Sequence, residues 1–157
     1  MRIHTLERRQ RLRQPPERVF AFFADAFNLE RITPPWLHFR VITPGPIDMR
    51  AGSLIEYRLR LHGVSIRWLT RIERWDAGRG FEDVQLRGPY RLWRHIHEFE
   101  PAGDGGTLVR DRVRYALPLG PIGALAHRAF VRRDLERIFD HRRDAVARRL
   151  SDNGARR

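Results

Sequence analysis

Three features are missing from this chain, and each absence excludes a class of protein. None of the 157 residues is cysteine, so disulfide bonds, thiolate metal ligands and a cysteine nucleophile are excluded. The nearest approach to a membrane-spanning run, residues 115–130, is interrupted by Pro118, Pro121 and His127. The opening residues do not begin the continuous apolar segment of a signal peptide. We therefore expect a cytoplasmic protein with no transmembrane segment.

Lysine is missing as well, so all 31 residues counted as Lys or Arg are arginine, and the formal net charge is +12. Such a charge can attract nucleic acid or an anionic membrane. The arginines are nevertheless spread over the whole chain, with dense clusters only at residues 8–13 and along residues 121–150, where acidic residues interleave. No recognisable nucleic-acid module is present. We expect a solvated basic surface without a dedicated nucleic-acid site, and keep a basic RNA- or ribosome-contacting module as a third hypothesis.

The longest periodic segment predicts one helix over residues 121–150. Pro121 suits the first helical position, and apolar side chains recur at helical spacing. They are Ile122, Leu125, Ala126, Ala129, Phe130, Leu135, Ile138, Phe139, Val146 and Leu150. At about 1.5 Å per residue the helix spans roughly 45 Å, so a broad element should lie against it. We expect residues 122–130 to line a cavity. The second half should face mostly water and pack on the sheet only through Leu135, Ile138, Phe139 and Val146.

The remainder of the chain predicts strands and two short helices. The helices are expected at residues 16–24 and 28–33. Strands are expected at residues 1–13, 36–43, 53–61, 64–75, 81–87, 91–100 and 107–117, where apolar and polar residues alternate between tight turns.

An antiparallel sheet with one solvated face must cover the other face, and the last helix is the element long enough to do so. We predict the α+β class with a helix-grip fold. A curved seven-stranded antiparallel sheet wraps around a long C-terminal helix, with two short helices after the first strand. Residues 1–150 would form one domain enclosing a cavity, and residues 151–157 a basic, disordered tail.

Two motifs carry a family resemblance. Residues 16–25 read PERVFAFFAD, followed by NLE at residues 28–30, and residues 81–90 read FEDVQLRGPY, followed by alternating Trp93, His95, His97 and Phe99. With the element order, they resemble the START/Bet v 1-like superfamily, in particular its bacterial SRPBCC branch of polyketide cyclases and coenzyme Q-binding proteins. The resemblance covers nearly the whole chain. It implies a ligand-binding domain, but it does not settle the activity, because one fold hosts many functions.

One face of the predicted sheet carries polar residues among aromatic ones, because Trp93, His95 and His97 alternate along one strand. If residues 88–90 form a three-residue loop, odd positions face odd positions across the hairpin. The predicted pairs are Arg87 with Arg91, Gln85 with Trp93, Asp83 with His95 and Phe81 with His97. Asp111, on the next strand, is a second candidate partner for His97.

A histidine beside a carboxylate is the minimum for acid–base catalysis, and it is equally the pattern of a satisfied buried histidine. Covalent catalysis has no candidate, because no Ser or Cys lies on this face. The two histidines with Asp83 or Asp111 could form a zinc set, but the aromatic neighbours favour an organic ligand. We place a hydrogen-bond network or ligand contact first, catalysis second and metal third, and expect neither a metal nor a cofactor.

The first hypothesis is a binding module that holds a hydrophobic or aromatic small molecule, such as a lipid, quinone or polyketide-like compound, between sheet and helix. The predicted contacts are Tyr57, Trp68, Asp83, Gln85, Trp93, His95, His97, Asp111, Tyr115, Leu125 and Ala129. The second hypothesis is a cyclase- or aromatase-like enzyme whose acid–base groups come from His95, His97, Asp83 and Asp111. A monomer or homodimer is expected.

Overall fold

The computed structural model describes residues 1–152 and contains one antiparallel sheet closed on one side by helices. The strands are β1 (His4–Leu12), β2 (Arg40–Val41), β3 (Leu54–Leu61), β4 (Val64–Asp76), β5 (Gly80–Arg87), β6 (Leu92–Pro101) and β7 (Thr107–Ala116). The helices are α1 (Pro16–Ala24), α2 (Asn28–Ile32), α3 (Gly120–Ala126) and α4 (Arg132–Asp152), with a π-helical turn (His127–Val131) between α3 and α4.

The seven strands lie in the order β1-β7-β6-β5-β4-β3-β2. Consecutive strands from β2 to β7 pair antiparallel, and β1 joins the free edge of β7 with His4 opposite Tyr115 and Leu12 opposite Thr107. The predicted meander and helix-grip fold are therefore confirmed. The alternation along β6 is also as expected, since every second residue from Trp93 to Phe99 is buried.

The strand expected at residues 36–43 is mostly absent. Pro35–Leu37 forms a single 3-10 turn, and only Arg40–Val41 pairs with β3. Two consecutive prolines start the segment, and His38 takes a left-handed backbone conformation with φ of 46° that ends the turn. Proline lacks the N–H that a sheet ladder needs, so the extended pairing begins only after this turn.

The last helix differs from a uniform α-helix, because the π-helical turn adds residues per turn in its middle. Gly123, His127, Val131 and Leu135 are spaced four residues apart and all lie on the inner side, which 3.6 residues per turn would not maintain. Gly123 also fixes the phase, since a Cβ at this position would collide with the carbonyl oxygen of Pro118. In the first half of the last helix, the side that faces the sheet is thus occupied by Gly123 and His127.

The helix continues two residues beyond the predicted domain boundary, through Ser151 and Asp152. The rest of the predicted tail, residues 153–157, lies outside the described residues. Among the helices that the structure describes, none is long and apolar enough to cross a membrane.

Two groups of buried side chains fill the space between the sheet and the helices. The larger is built around Phe20, Phe23 and Ile55, and packs α1 and the end of α4 against the sheet. The smaller is formed by Trp93, Val113, Tyr115, Leu135 and Phe139. Trp68 packs against both groups, and the cavity described below lies among these side chains.

Candidate functional site

A cavity of about 170 Å³ lies between the concave face of the sheet and α4. Its walls are mostly aliphatic and aromatic, with a few polar side chains. The residues that line it include Phe23, Ala26, Leu37, Phe39, Ile55, Tyr57, Leu59, Trp68, Ile72, Phe81, Asp83, Tyr90, Trp93, His95, His97, Leu135, Ile138, Phe139 and Arg142. An apolar cavity of about 150 Å³ can hold a molecule as large as benzene. The present volume therefore suits a compact aromatic group.

Six of the predicted contact residues line this cavity: Tyr57, Trp68, Asp83, Trp93, His95 and His97. Three others lie close to it but outside its lining. Asp111 is behind the histidines, and Tyr115 is buried beside the last helix. Gln85 points into the β5–β6 turn, where its Nε2 donates to the carbonyl of Tyr90 and its Oε1 accepts from the Tyr90 N–H.

Gln85 also marks where the expected hairpin register ends. The pairs Asp83 with His95 and Phe81 with His97 are present, so this part of the prediction is confirmed. The ladder stops at Val84 opposite Arg94, and β6 begins only at Leu92. The expected pairs of Gln85 with Trp93 and of Arg87 with Arg91 are absent from the ladder, because Gln85 bonds to the turn backbone instead.

The structure places Leu125 and Ala129 on the outer side of the last helix rather than at the cavity. Leu125 is 68% exposed and Ala129 is also exposed, since Gly123 and His127 occupy the inner side. The cavity is lined instead by Leu135, Ile138, Phe139 and Arg142 of α4. The expectation that residues 122–130 line the cavity is thus wrong, whereas Leu135, Phe139 and Val146 of the second half are buried in the core as predicted.

Asp83, His95, His97 and Asp111 form a buried polar cluster on three neighbouring strands. His97 Nε2 donates to Asp83 Oδ2 at 2.7 Å, and His95 Nε2 donates to Asp111 Oδ1 at 2.9 Å. The imidazole rings, here called the inner histidine pair, lie with centroids 3.7 Å apart. His95 is 4% exposed and His97 3%.

The hydrogen bonds in this cluster run diagonally to the strand register. Asp83 lies opposite His95 and Asp111 opposite His97, yet each carboxylate bonds the other histidine. Each histidine consequently touches both carboxylates, with His95 Nδ1 at 4.0 Å from Asp83 and His97 Nδ1 at 3.3 Å from Asp111. His97 Nδ1 is buried and has no well-aligned hydrogen bond among the described residues.

The surroundings in this cluster shift the pKa values of the two histidines in opposite directions. Burial, and then the charge on His97, lower the pKa of His95 to about 4, against the opposing effect of Asp111. Burial would also lower the pKa of His97, but its contacts with Asp111 and Asp83 outweigh burial and raise it. Burial would raise the pKa of both aspartates, yet the bonded histidines hold the pKa of Asp83 low and that of Asp111 well below its usual range.

Asp83, His95 and His97 could each offer one ligand atom to a metal ion, with these atoms within 4.8 Å of one another. Two observations oppose a cation at this point. The Nε2 atoms already donate to carboxylates, and the positive charge of Arg142 acts on Asp83 and Asp111. The arrangement fits a hydrogen-bond network better than a metal centre.

A second histidine pair, whose rings are stacked, lies at the edge of the sheet. His4 of β1 and His127 of the π-helical turn, here called the edge histidine pair, have ring centroids 3.5 Å apart, and Tyr115 Oη lies 2.8 Å from His127 Nε2. Burial comes first among the causes that lower the pKa of both histidines, and the nearby Arg2 and Arg132 add to it.

Sequence reasoning missed Arg142, Tyr90 and Phe23 as cavity residues. Tyr90 sits in a turn, and Phe23 is on a short helix whose packing on the sheet no local pattern reveals. Arg142 is a charged residue among acidic and basic neighbours on a helix. Only the spacing from Leu135 and Phe139 could have placed it on the inner side.

The fold and the cavity define a helix-grip protein with an apolar internal site. The family described as "Polyketide cyclase / dehydrase and lipid transport" matches residues 4–151, and the chain belongs to this family. The family match and the fold confirm the predicted resemblance to the START/Bet v 1-like superfamily. They support a hydrophobic ligand-binding or cyclase-like role.

Solved structures share the fold at low identity. The protein TTHA0849 from Thermus thermophilus is 21% identical with a TM-score of 0.73, and the match covers 96% of this chain and 99% of that one. The Zhui aromatase/cyclase from Streptomyces is 14% identical with a TM-score of 0.76, covering 96% and 94%. Ara h 8.0201 is 17% identical with a TM-score of 0.68, covering 96% and 99%. No curated protein sequence matches the chain significantly.

Proposed function

We propose that this protein binds a small apolar molecule with an aromatic ring in the cavity between sheet and α4. The observation that carries the proposal is the composition of the cavity wall. Trp68, Trp93, Phe39 and other apolar side chains surround a space of about 170 Å³, and a few polar groups converge on it. Ligand sites typically combine an apolar wall with a small number of placed polar groups.

The experiment is a fluorescence titration with neutral one-ring and fused-ring aromatic compounds, because Trp68 and Trp93 line the cavity. Two alanine positions provide a matched comparison. Ala26 lines the cavity, whereas Ala129 is exposed on the last helix. We expect saturable quenching in the wild type and in Ala129→Leu, and at least a tenfold weaker affinity in Ala26→Leu, whose larger side chain fills part of the cavity.

Native mass spectrometry of the freshly purified protein provides a second readout, in which a co-purifying small molecule would support the proposal. Circular dichroism should show that both variants keep the wild-type fold. Absence of saturable binding with every compound, or equal affinities in the two variants, would contradict the proposal.

A second candidate function is ring closure of a poly-carbonyl chain, and the location of the inner histidine pair favours it. Both His95 and His97 line the cavity, and their pKa values are shifted in opposite directions. Pairs of groups with separated pKa values are suited to accept and donate protons in one reaction. An intramolecular aldol condensation would form one carbon–carbon bond and release one water, with no added co-reactant.

The test compares ligand binding and turnover of a linear poly-β-carbonyl thioester in His97→Gln and His95→Gln. Loss of cyclised product with retained binding would support catalysis. Equal product with the wild-type protein and in buffer alone would leave a binding protein without this activity.

A further inference from the structure

Arg142 is a charged residue in an unusual position, because it lines a mainly apolar cavity. It lies on α4, three residues after Phe139, and lines the cavity. Its guanidinium carbon is 5.5 Å from the ring centroid of Phe23 and 5.8 Å from that of Phe139. The permanently charged group therefore lies within cation–π distance of two aromatic rings at the boundary of an apolar space.

Two of its donors are unsatisfied. Arg142 Nε and Nη2 are buried and have no hydrogen-bond partner within residues 1–152. The adjacent Arg143 pairs with Asp140 and Asp144, whereas no carboxylate in the described part of the chain lies within 4.0 Å of Arg142. Buried donors without partners are destabilising, and those of a charged group especially so.

The nearby aspartates do not supply the missing hydrogen-bond acceptors for Arg142. Asp83 accepts from His97 and Asp111 accepts from His95, and neither carboxylate accepts from Arg142 Nε or Nη2. The positive charge of Arg142 acts on them only at longer range. Arg142 therefore lines a mainly apolar cavity while its buried Nε and Nη2 groups lack acceptors among the described residues.

The Nε–H and Nη2–H groups point from the same edge of a guanidinium, and their spacing matches the two oxygens of a carboxylate. We propose that the molecule bound in this cavity is an apolar ring or chain that carries a carboxylate, and that Arg142 holds the carboxylate side-on. This inference rests on the proposed binding function and names the chemical class of its ligand.

The test uses two probes of nearly equal size and shape, para-(trifluoromethyl)benzoate and para-(trifluoromethyl)benzamide, with binding measured by fluorine NMR. Charge-assisted bidentate hydrogen bonds are stronger than neutral ones, so we expect the wild type to bind the carboxylate roughly 10- to 100-fold more tightly. Arg142→Gln should remove this preference while changing amide binding less than about threefold. Arg142→Lys should restore only part of the preference for the carboxylate, because lysine keeps the positive charge but lacks the two parallel N–H donors of the guanidinium.

Arg137→Gln is the matched control, since Arg137 lies on the same helix with its guanidinium over Trp36, outside the cavity. It should retain the wild-type preference. The wild-type comparison needs no variant, so a folding defect in Arg142→Gln does not obscure the answer. Equal affinity of wild-type protein for the two probes would overturn the inference and leave the binding function standing. Binding of neither probe would count against both.

Discussion

Two histidine pairs in this molecule have closely spaced rings and different neighbours. The centroid distances are 3.7 Å in the inner histidine pair, His95 and His97, and 3.5 Å in the edge histidine pair, His4 and His127. Carboxylates flank the first pair on both sides. Arginines lie near the second, whose hydrogen-bond partner is the neutral hydroxyl of Tyr115.

The protonation of the two pairs differs accordingly. In the inner pair the pKa of His95 is lowered to about 4 and that of His97 is raised, whereas in the edge pair both pKa values are lowered. Ring contact alone therefore does not decide whether a histidine pair keeps a proton near neutral pH. Burial acts to lower the pKa of all four histidines, and only at His97 do the contacts with Asp111 and Asp83 outweigh it. The inner pair, unlike the edge pair, also lines the cavity.

The largest expected effect comes from removing a carboxylate of the inner pair. Asp111→Ala leaves His95 Nε2 without its acceptor and His97 without one of its two counter-charges. Breaking a buried ionic contact from one side typically destabilises a protein by about 3–5 kcal/mol. Urea unfolding at pH 7 measures the free energy of unfolding.

Glu7→Ala is the control, because Glu7 of β1 pairs at 2.8 Å with Arg112, the residue next to Asp111 on β7, and both are exposed. Surface pairs contribute less than about 1 kcal/mol. A loss in Asp111→Ala no larger than that in Glu7→Ala would remove the distinction between a buried cluster and a surface ion pair.

The second effect is a loss of stability in mild acid, caused mainly by His95. Its folded-state pKa of about 4 lies below its ordinary value, so the unfolded chain takes up a proton first as the pH falls. We expect about 3 kcal/mol of stability to be lost between roughly pH 6.5 and pH 4. The lowered pKa values of Asp83 and Asp111 place their own loss at lower pH.

His97 acts in the opposite direction. Its raised pKa means that its contribution is fully present below the ordinary histidine pKa and is lost as the pH rises through the folded-state value. In His95→Gln the free energy of unfolding should fall less steeply than in the wild type as the pH decreases. In His4→Gln this pH dependence should change less. An unchanged acid slope in His95→Gln would show that His95 is not the group responsible.

The inner pair could be predicted from sequence because strands have a strict period of two. Once residues 91–100 are taken as a strand, His95 and His97 must share a face, and the hairpin places Asp83 beside them. The diagonal hydrogen bonds could not be predicted in the same way. They depend on side-chain rotamers, which the strand register does not specify.

The last helix was harder to predict, because its apolar residues do not mark a single face. Ile122 and Leu125 are each 68% exposed, while Arg142 lines the cavity. The π-helical turn changes the phase between the two halves, and no periodicity of 3.6 anticipates it. Hydrophobic spacing thus located the helix and the inner side of its second half, but it did not identify the inner side of the first half.

A smaller effect is expected from Tyr115→Phe at the edge histidine pair. The change removes the 2.8 Å hydrogen bond to His127 and keeps the buried ring. A neutral hydrogen bond contributes about 1 kcal/mol, so the loss of stability should be well below that of Asp111→Ala. Urea unfolding measures it, and a loss as large as that of Asp111→Ala would mean that the edge pair is as strongly coupled to its partner as the inner pair.

The smallest expected effect tests whether the charge of a nearby arginine lowers the pKa values of the edge histidine pair. Arg132 lowers the pKa of both His4 and His127 without being the largest cause. Arg132→Gln should therefore raise both titration midpoints in NMR and leave those of His95 and His97 unchanged, since Arg132 is not among the causes of their shifts. Because Arg132 is largely exposed, the difference should disappear in about 1 M salt, where the screening length falls to about 3 Å. Edge midpoints that stay in place in Arg132→Gln at low salt would show that Arg132 does not contribute, and would leave burial, Arg2 and, for His127, the adjacent His4 as the causes of the lowered pKa values.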